Sequence, residues 1–312
     1  MINPTLEVTL ISRCNFKCDY CSSRSNLPWN WVMENGKKKY IKKSDEIIAG
    51  SDMLPVIVNV DSNTSNEVFE DIFRTGKLTN NEAFDISKLV SYVKNNLSGW
   101  DIVISGGEPL LYPNIDYWLS KLTETNDVIL YTNASLIQKF PKILQNKKVY
   151  LRIGFHPNYR EMDEFFENML FIKKQTDNYV VNYVLHPRHG ETGKDIEYIS
   201  FLQENDFLYE VTPFRGKYKG VSYGHSSNEV IYGKEKITPT YLEGMGRMER
   251  LSPGTSYLTL YSDGALNYCH GDKRVVGTLD DGKYNPGRGC DKGCASTCAS
   301  IQTFNAINKN RI

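Results

Sequence analysis

Ser12-Arg13-Cys14-Asn15-Phe16-Lys17-Cys18-Asp19-Tyr20-Cys21 follows directly on a strand-like run, Leu6-Glu7-Val8-Thr9-Leu10-Ile11, and places three of the chain's seven cysteines within eight residues. The spacing is C-x3-C-x2-C. Three thiolates on one loop can converge on a single metal centre, yet they supply only three ligands. A cluster of four irons held this way keeps one iron open for another ligand, an arrangement suited to chemistry more than to scaffolding.

The other four cysteines, Cys269, Cys290, Cys294 and Cys298, lie near the end of the chain, with none between Cys21 and Cys269. A disulfide scaffold is usually a short secreted chain with an even count of cysteines. Two separated groups point instead to metal or redox centres in a reducing compartment. The first ten residues lack a charged-then-apolar signal pattern and no apolar run approaches the length of a membrane span. Lys plus Arg equals Asp plus Glu at 37 each, so no global field draws the protein to nucleic acid or to a membrane. The expectation is a soluble, cytoplasmic protein.

A chain of 312 residues can bury about three-quarters of its unfolded surface and suits one large α/β domain with an appendage. Ile86, Leu89, Val90, Val93 and Leu97 follow helical spacing, with Asp85 as N-cap and Gly99 as stop. Strands are predicted at 101–104, 127–132, 148–154, 179–185 and 207–212. Helices are predicted after Pro113, near 135–145, at 159–174 and at 194–204. With the opening strand at 6–11 this makes six strands interleaved with helices, the pattern of a parallel sheet with right-handed crossovers. Six units are too few for an eight-fold barrel, so an open one is expected. Residues 22–83 read as an insertion, with a lysine-rich run at 37–43 best taken as a solvated helix face and an apolar piece at 55–60. Residues 214–255 form a loop-dominated bridge. Tyr257–Tyr261 and Ala265–Tyr268 read as a β-hairpin running into Cys269, followed by a Gly-rich cysteine loop at 287–298 and a terminal helical stretch.

In a parallel α/β sheet, ligands collect at the C-terminal ends of the strands. That rim carries Cys14–Cys21, then Gly106-Gly107-Glu108-Pro109, Thr132-Asn133, Gly154-Phe155-His156, His186-Pro187-Arg188 and Pro213-Phe214-Arg215. Polar and glycine-rich groups recurring on one rim argue for a single active site there.

The C-x3-C-x2-C spacing after a first strand, with Tyr20 just before the last cysteine, resembles the radical S-adenosylmethionine (SAM) superfamily. Gly106-Gly107-Glu108-Pro109 after the second strand resembles that family's methionine-amine-binding motif. The resemblance covers about residues 5–215 and implies a partial (β/α)6 barrel in which Cys14, Cys18 and Cys21 ligate a [4Fe–4S] cluster. It also implies that SAM chelates the fourth iron through its amine and carboxylate, the ammonium meeting the Glu108 carboxylate or nearby carbonyls. Reductive cleavage would then yield a 5′-deoxyadenosyl radical that takes hydrogen from a substrate, with a reducing donor such as flavodoxin or ferredoxin. The interval from Cys21 to Gly106 is long for the family. The bland alternative, a three-cysteine zinc site, needs a fourth ligand such as His, and none lies within the motif.

The rear group resembles the auxiliary-cluster extension of such enzymes, SPASM in its long form and twitch in its short form. Asp263-Gly264-Ala265-Leu266-Asn267-Tyr268-Cys269, then Val276-Gly277, then a terminal cysteine group, is that pattern. Four cysteines suit one second [4Fe–4S] cluster. The C-x3-C-x3-C spacing at 290–298 departs from the long form and leaves open whether all four ligate it; a zinc ribbon is the alternative. Asn133, in Tyr131-Thr132-Asn133-Ala134, stands where the family has a Thr-Asn-Gly run near SAM, with alanine replacing the glycine. His156, His186 and Arg188 are candidates for contact with ribose, carboxylate or substrate, against the plainer reading of strand-end side chains bonded to backbone. Arg215 suits a substrate carboxylate or a structural ion pair.

The division expected is therefore a core at 1–213 with its insertion, a bridge at 214–255, and a small hairpin and cysteine-rich auxiliary-cluster domain at 256–312. The resemblance implies an oxidoreductase-type enzyme that modifies a ribosomal peptide by oxidation, crosslinking or epimerisation. Dehydrogenation or rearrangement of a small molecule or nucleoside is the alternative within that class. A metal-binding interaction protein that kept the fold and lost the chemistry is the alternative outside it.

Overall fold

The computed structural model of the chain describes residues 3–11, 14–16, 18, 31–34, 37–40, 85–214, 216–219, 221–223, 230–232, 235–237, 257–261, 264–269 and 272–282. The elements begin with strand β1 (Thr5–Ile11) and a small hairpin, β2 (Trp31–Glu34) with β3 (Lys37–Tyr40). Helix α1 (Ile86–Asn96), β4 (Asp101–Gly106), α2 (Ile115–Leu122), β5 (Asp127–Thr132) and α3 (Pro141–Gln145) follow. The alternation continues through β6 (Val149–Phe155), α4 (Met162–Lys173), β7 (Tyr179–Leu185), α5 (Pro187–Thr192), α6 (Lys194–Glu204) and β8 (Tyr209–Pro213). Four short strands pair as hairpins, β9 (Gly216–Tyr218) with β10 (Val221–Tyr223) and β11 (Val230–Tyr232) with β12 (Glu235–Ile237). Three more close the described chain: β13 (Tyr257–Leu260), β14 (Ala265–Cys269) and β15 (Asp272–Thr278).

Nine of these strands form one sheet in the order β15-β14-β13-β1-β4-β5-β6-β7-β8. From β13 through β8 every neighbouring pair is parallel; β14 and β15 are antiparallel additions. All six predicted core strands are present in the expected sequence. β1 lies between β4 and β13, which puts the loop after β1 in the interior of the sheet's rim.

Period-two alternation divides the strand side chains between two faces. Leu6, Val8, Ile102, Ile104, Val128, Leu130, Leu151, Ile153, Val181 and Tyr183 join the helices in the main core. Val103, Ile129, Val180 and Tyr257 form a smaller cluster on the opposite face. α1 buries Ile86, Leu89, Tyr92 and Val93 against the main core, and the Asp85 side chain caps it by accepting from Ser87 N at 2.9 Å. Gly99 follows in the left-handed region, φ 81°, as a chain reversal requires.

Three readings change. Lys37–Tyr40, expected on a helix face, is a strand paired antiparallel with Trp31–Glu34, a backbone pairing that charge spacing does not report. The hairpin β13–β14 joins the main sheet through β1 and is extended by β15. α5 was not expected, because Pro-Arg-His-Gly-Glu-Thr carries no apolar period; Pro187 at its first turn and His186 as N-cap nucleate it instead. The apolar piece at 55–60, the cysteine loop at 287–298 and the terminal helical stretch lie outside the described residues. No helix among the described residues is long and apolar enough to cross a membrane.

Candidate active site at the rim of β1, β4, β5 and β6

The loops after β1 and β4 are joined before either leaves the sheet. Pairing shifts between Thr9 and Ile11, so that Ile11 faces Gly106. Gly106 has φ 129°, and a Cβ there would lie 2.3 Å from the Ile11 carbonyl oxygen. Only glycine fits both the backbone conformation and the space. The next amide, Gly107 N, donates to that same oxygen at 2.7 Å. Beyond Ile11 the chain reaches Cys14, half-buried, and Cys18, buried. Phe16 N donates to Cys14 Sγ at 3.4 Å.

Glu108 ties the β4 loop to the β5 loop. Its Oε1 accepts from Leu110 N at 3.0 Å, capping the 3-10 turn Pro109–Leu111, and from Thr132 Oγ1 at 2.7 Å. Its Oε2 accepts from Asn133 N at 2.7 Å. The side chain is fully removed from solvent. Burial pushes its pKa up to about 7, against the pull of these three donors and the Arg160 guanidinium. Of the two acceptors expected for a ligand ammonium, the carboxylate already accepts three hydrogen bonds from the protein itself.

The β5 turn, Thr132 to Ser135, is the centre of the network. Ala134 is buried in the left-handed region at φ 56°, strain of about 1–2 kcal/mol for a residue with a Cβ. Its amide donates to Thr132 Oγ1 at 2.9 Å. The backbone therefore takes the shape a glycine would favour, in spite of the alanine. Asn133 Oδ1 accepts from Ser135 N at 2.9 Å and Ser135 Oγ at 2.6 Å. Its Nδ2 donates to Asn15 Oδ1 at 2.9 Å and approaches Cys14 Sγ at 3.8 Å. Asn15 Nδ2 closes the ring on Ser135 Oγ at 2.7 Å.

From β6 comes His156, whose ring meets Phe16 edge-on at 6.0 Å. A Cβ at Gly154 would lie 2.4 Å from His156 Nε2, so the imidazole folds over a glycine. Burial, then the nearby Arg160 guanidinium, hold the His156 pKa down to about 4, and the ring is neutral near pH 7. Arg160 escaped the sequence reading, since a single arginine before a helix carries no pattern. Its Nη1 donates to the Asn133 carbonyl at 2.9 Å, its Nη2 to the Glu164 carbonyl at 3.2 Å, and it lies 5.5 Å from the centroid of Phe165. The side chain is 3% exposed and pairs with the Glu164 carboxylate at 3.3 Å, and its buried Nε has no hydrogen-bond partner among the described residues.

The rim thus brings together Cys14, Gly106, Gly107, Glu108, Pro109, Asn133 and His156, while Cys18 is buried on the chain just beyond Cys14. It does not bring in His186, which is buried and caps α5 by accepting from Arg188 N at 3.1 Å, packed edge-on to Phe214 at 4.6 Å. That is the plainer of its two readings. Tyr20, Cys21, Arg215, Cys290, Cys294 and Cys298 lie outside the described residues, while Cys269 ends β14 opposite Asp272. Among the described residues no three His, Cys, Asp or Glu side chains cluster to hold a metal ion. Arg152 was also missed. On the second face of the sheet it donates to Tyr131 Oη at 3.0 Å and forms a buried ion pair with Glu210, which also accepts from Asn182 at 2.6 Å. Arg152 within an apolar strand run was the available signal.

No family model matches the chain, and no curated protein matches it. Solved structures do. "Native anSMEcpe with bound AdoMet" is similar over 89% of this chain and 78% of that one, with a TM-score of 0.52 at 16% identity. "Native anSMEcpe with bound AdoMet and Cp18Cys peptide" is similar over 89% and 78%, with a TM-score of 0.51 at 16% identity. A second peptide-bound form, with the Kp18Cys peptide, has a TM-score of 0.52 at 16% identity. At this identity the likeness concerns the fold: the chain has an α/β architecture similar to that of these AdoMet-bound structures, consistent with the radical SAM-like fold expected from its motifs.

Proposed function

We propose that the chain is a radical SAM enzyme that modifies a peptide, with Cys14, Cys18 and Cys21 as ligands of a [4Fe–4S] cluster. In this reading the parallel strands curve as a partial (β/α)6 barrel, and Cys269, Cys290, Cys294 and Cys298 hold a second, auxiliary cluster. The observation that carries it is the joining of the Cys14 loop to the Gly106–Pro109 loop through Ile11, with Asn133 bonded to both.

The residues fit the group. Cys14 Sγ has amide donors from Phe16 and Asn133, which favour the thiolate a metal requires. The Arg160 Nε–H, which has no hydrogen-bond partner among the described residues, suits an anion such as the SAM carboxylate. When bound, the cluster and SAM supply one-electron cleavage of the sulfonium and a 5′-deoxyadenosyl radical that takes hydrogen from substrate. The chain's own part is positioning. Gly106 lets the β4 loop approach β1, Glu108 fixes the β4 and β5 loops to each other, and Arg160 holds the carbonyl of Asn133. The neutral His156 ring offers hydrogen bonding without a second positive charge beside a sulfonium. The bound peptides of the similar structures support a peptide substrate.

Anaerobic purification is expected to yield about eight irons per chain, from two four-iron clusters. Reaction with deuterated candidate peptides is expected to carry deuterium into deoxyadenosine. Zinc in place of iron would overturn the assignment.

A further inference from the structure

Resting on that reading, we infer that Asn133 tunes the reduction potential of the front cluster by donating a hydrogen bond from its side-chain amide to Cys14 Sγ. The orientation of the amide is not arbitrary. Ser135 N–H can only donate, so the atom it meets at 2.9 Å is Asn133 Oδ1 and the nitrogen must lie on the opposite side. There the two Nδ2 protons face Asn15 Oδ1 and Cys14 Sγ. The ring completed by Asn15 Nδ2 and Ser135 Oγ holds the amide in that orientation.

The backbone of Asn133 is held as firmly as its side chain. Its N–H is bound by the buried Glu108 carboxyl group and its C=O by the buried Arg160 guanidinium, so the residue is gripped at both ends. The strained Ala134 next to it marks a turn whose shape is over-determined by its surroundings. A side chain held this rigidly serves a task that depends on direction. A donor aimed at a cluster sulfur withdraws electron density and stabilises the reduced, more negative state, which raises the potential. Glu108 and Arg160 are then positioning residues, acting through Asn133.

Asn133→Asp keeps an oxygen for Ser135 and replaces the donor with an anion; Asn133→Ala removes both. In reconstituted protein the front cluster is the signal that changes on addition of SAM, and its midpoint potential is read by EPR-monitored redox titration. Both variants are expected to shift that midpoint to more negative values, the aspartate further than the alanine. An unchanged midpoint in variants that hold the wild-type amount of iron overturns the inference. The unsubstituted protein gives a second measurement that does not depend on variant folding. With asparagine labelled with 15N at the side-chain amide, the reduced front cluster is expected to show a nitrogen hyperfine coupling, and its absence overturns the contact. A wild-type chain that assembles no cluster fails the functional reading and the inference together, whereas an assembled cluster with unmoved potential fails the inference alone.

Discussion

Replacing Gly106 by alanine tests the junction on which the site is built. At φ 129° an L-residue is strained by about 1–3 kcal/mol. The new methyl would also sit 2.3 Å from Ile11 O, 3.2 Å from Ile11 N and 3.3 Å from Ile11 C. All three are backbone atoms of β1 and cannot rotate aside, so the strands must part. Parting them breaks the 2.7 Å bond from Gly107 N to Ile11 O, a further loss of about 1 kcal/mol. The sum is roughly 2–4 kcal/mol, a large share of a stability that is typically about 5–15 kcal/mol. Gly99 provides the control. It has φ 81°, yet nothing lies within 4 Å of a Cβ built there, so Gly99→Ala carries conformational strain of only about 1–2 kcal/mol. Urea or guanidinium unfolding of both variants, compared at matched m-values, measures the difference. Gly106→Ala should be the less stable by about 1 kcal/mol or more and should also lose iron on reconstitution. Equal stability of the two variants would refute the argument from the Ile11 contact.

Glu108 makes stability depend on pH. Its folded pKa of about 7 exceeds the ordinary 4.5, so the native state binds the extra proton between those values. Stability is then fully present below about 4.5 and falls as pH rises through about 7, by at most about 3 kcal/mol; Glu108→Gln should flatten that slope in pH-dependent unfolding. His156 has the opposite linkage. With its pKa lowered to about 4, its contribution is present above 6.5 and is lost as pH falls toward 4. NMR titration should show its ring unprotonated down to about pH 5, and a midpoint near 6.5 would contradict the buried placement. Cys294→Ala should leave SAM cleavage intact while blocking modified product; loss of cleavage as well would make the rear cysteines structural.

Much of this arrangement was legible in the sequence because period and punctuation agree there. The alternating or continuous apolar runs of the six core strands, Asp85 before Ile86, and glycines at strand ends each report a local constraint. The cysteine triplet and Gly106–Pro109 could be placed on one rim for the same reason. What was not legible depends on distant partners. The part Glu108 plays in tying two loops together shows only when Thr132 and Asn133, more than twenty residues away, are seen to engage it. Arg160 becomes notable only because the Asn133 carbonyl lies against it. Arg152 and Glu210 neutralise each other across two strands, so neither betrays itself locally. Lys37–Lys39 carries the charge density of a solvated helix, and only pairing with Trp31–Glu34 makes it a strand. β13 is legible as half of a hairpin, but its place beside β1 is a long-range pairing, Thr5 with Tyr257, that periodicity does not encode.

The most direct measurement is the formation of 5′-deoxyadenosine by the anaerobically reconstituted chain on addition of SAM and a strong reductant. The account predicts deoxyadenosine from the wild-type chain and none from Cys18→Ala. A wild-type chain with a full complement of iron that leaves SAM intact would contradict it.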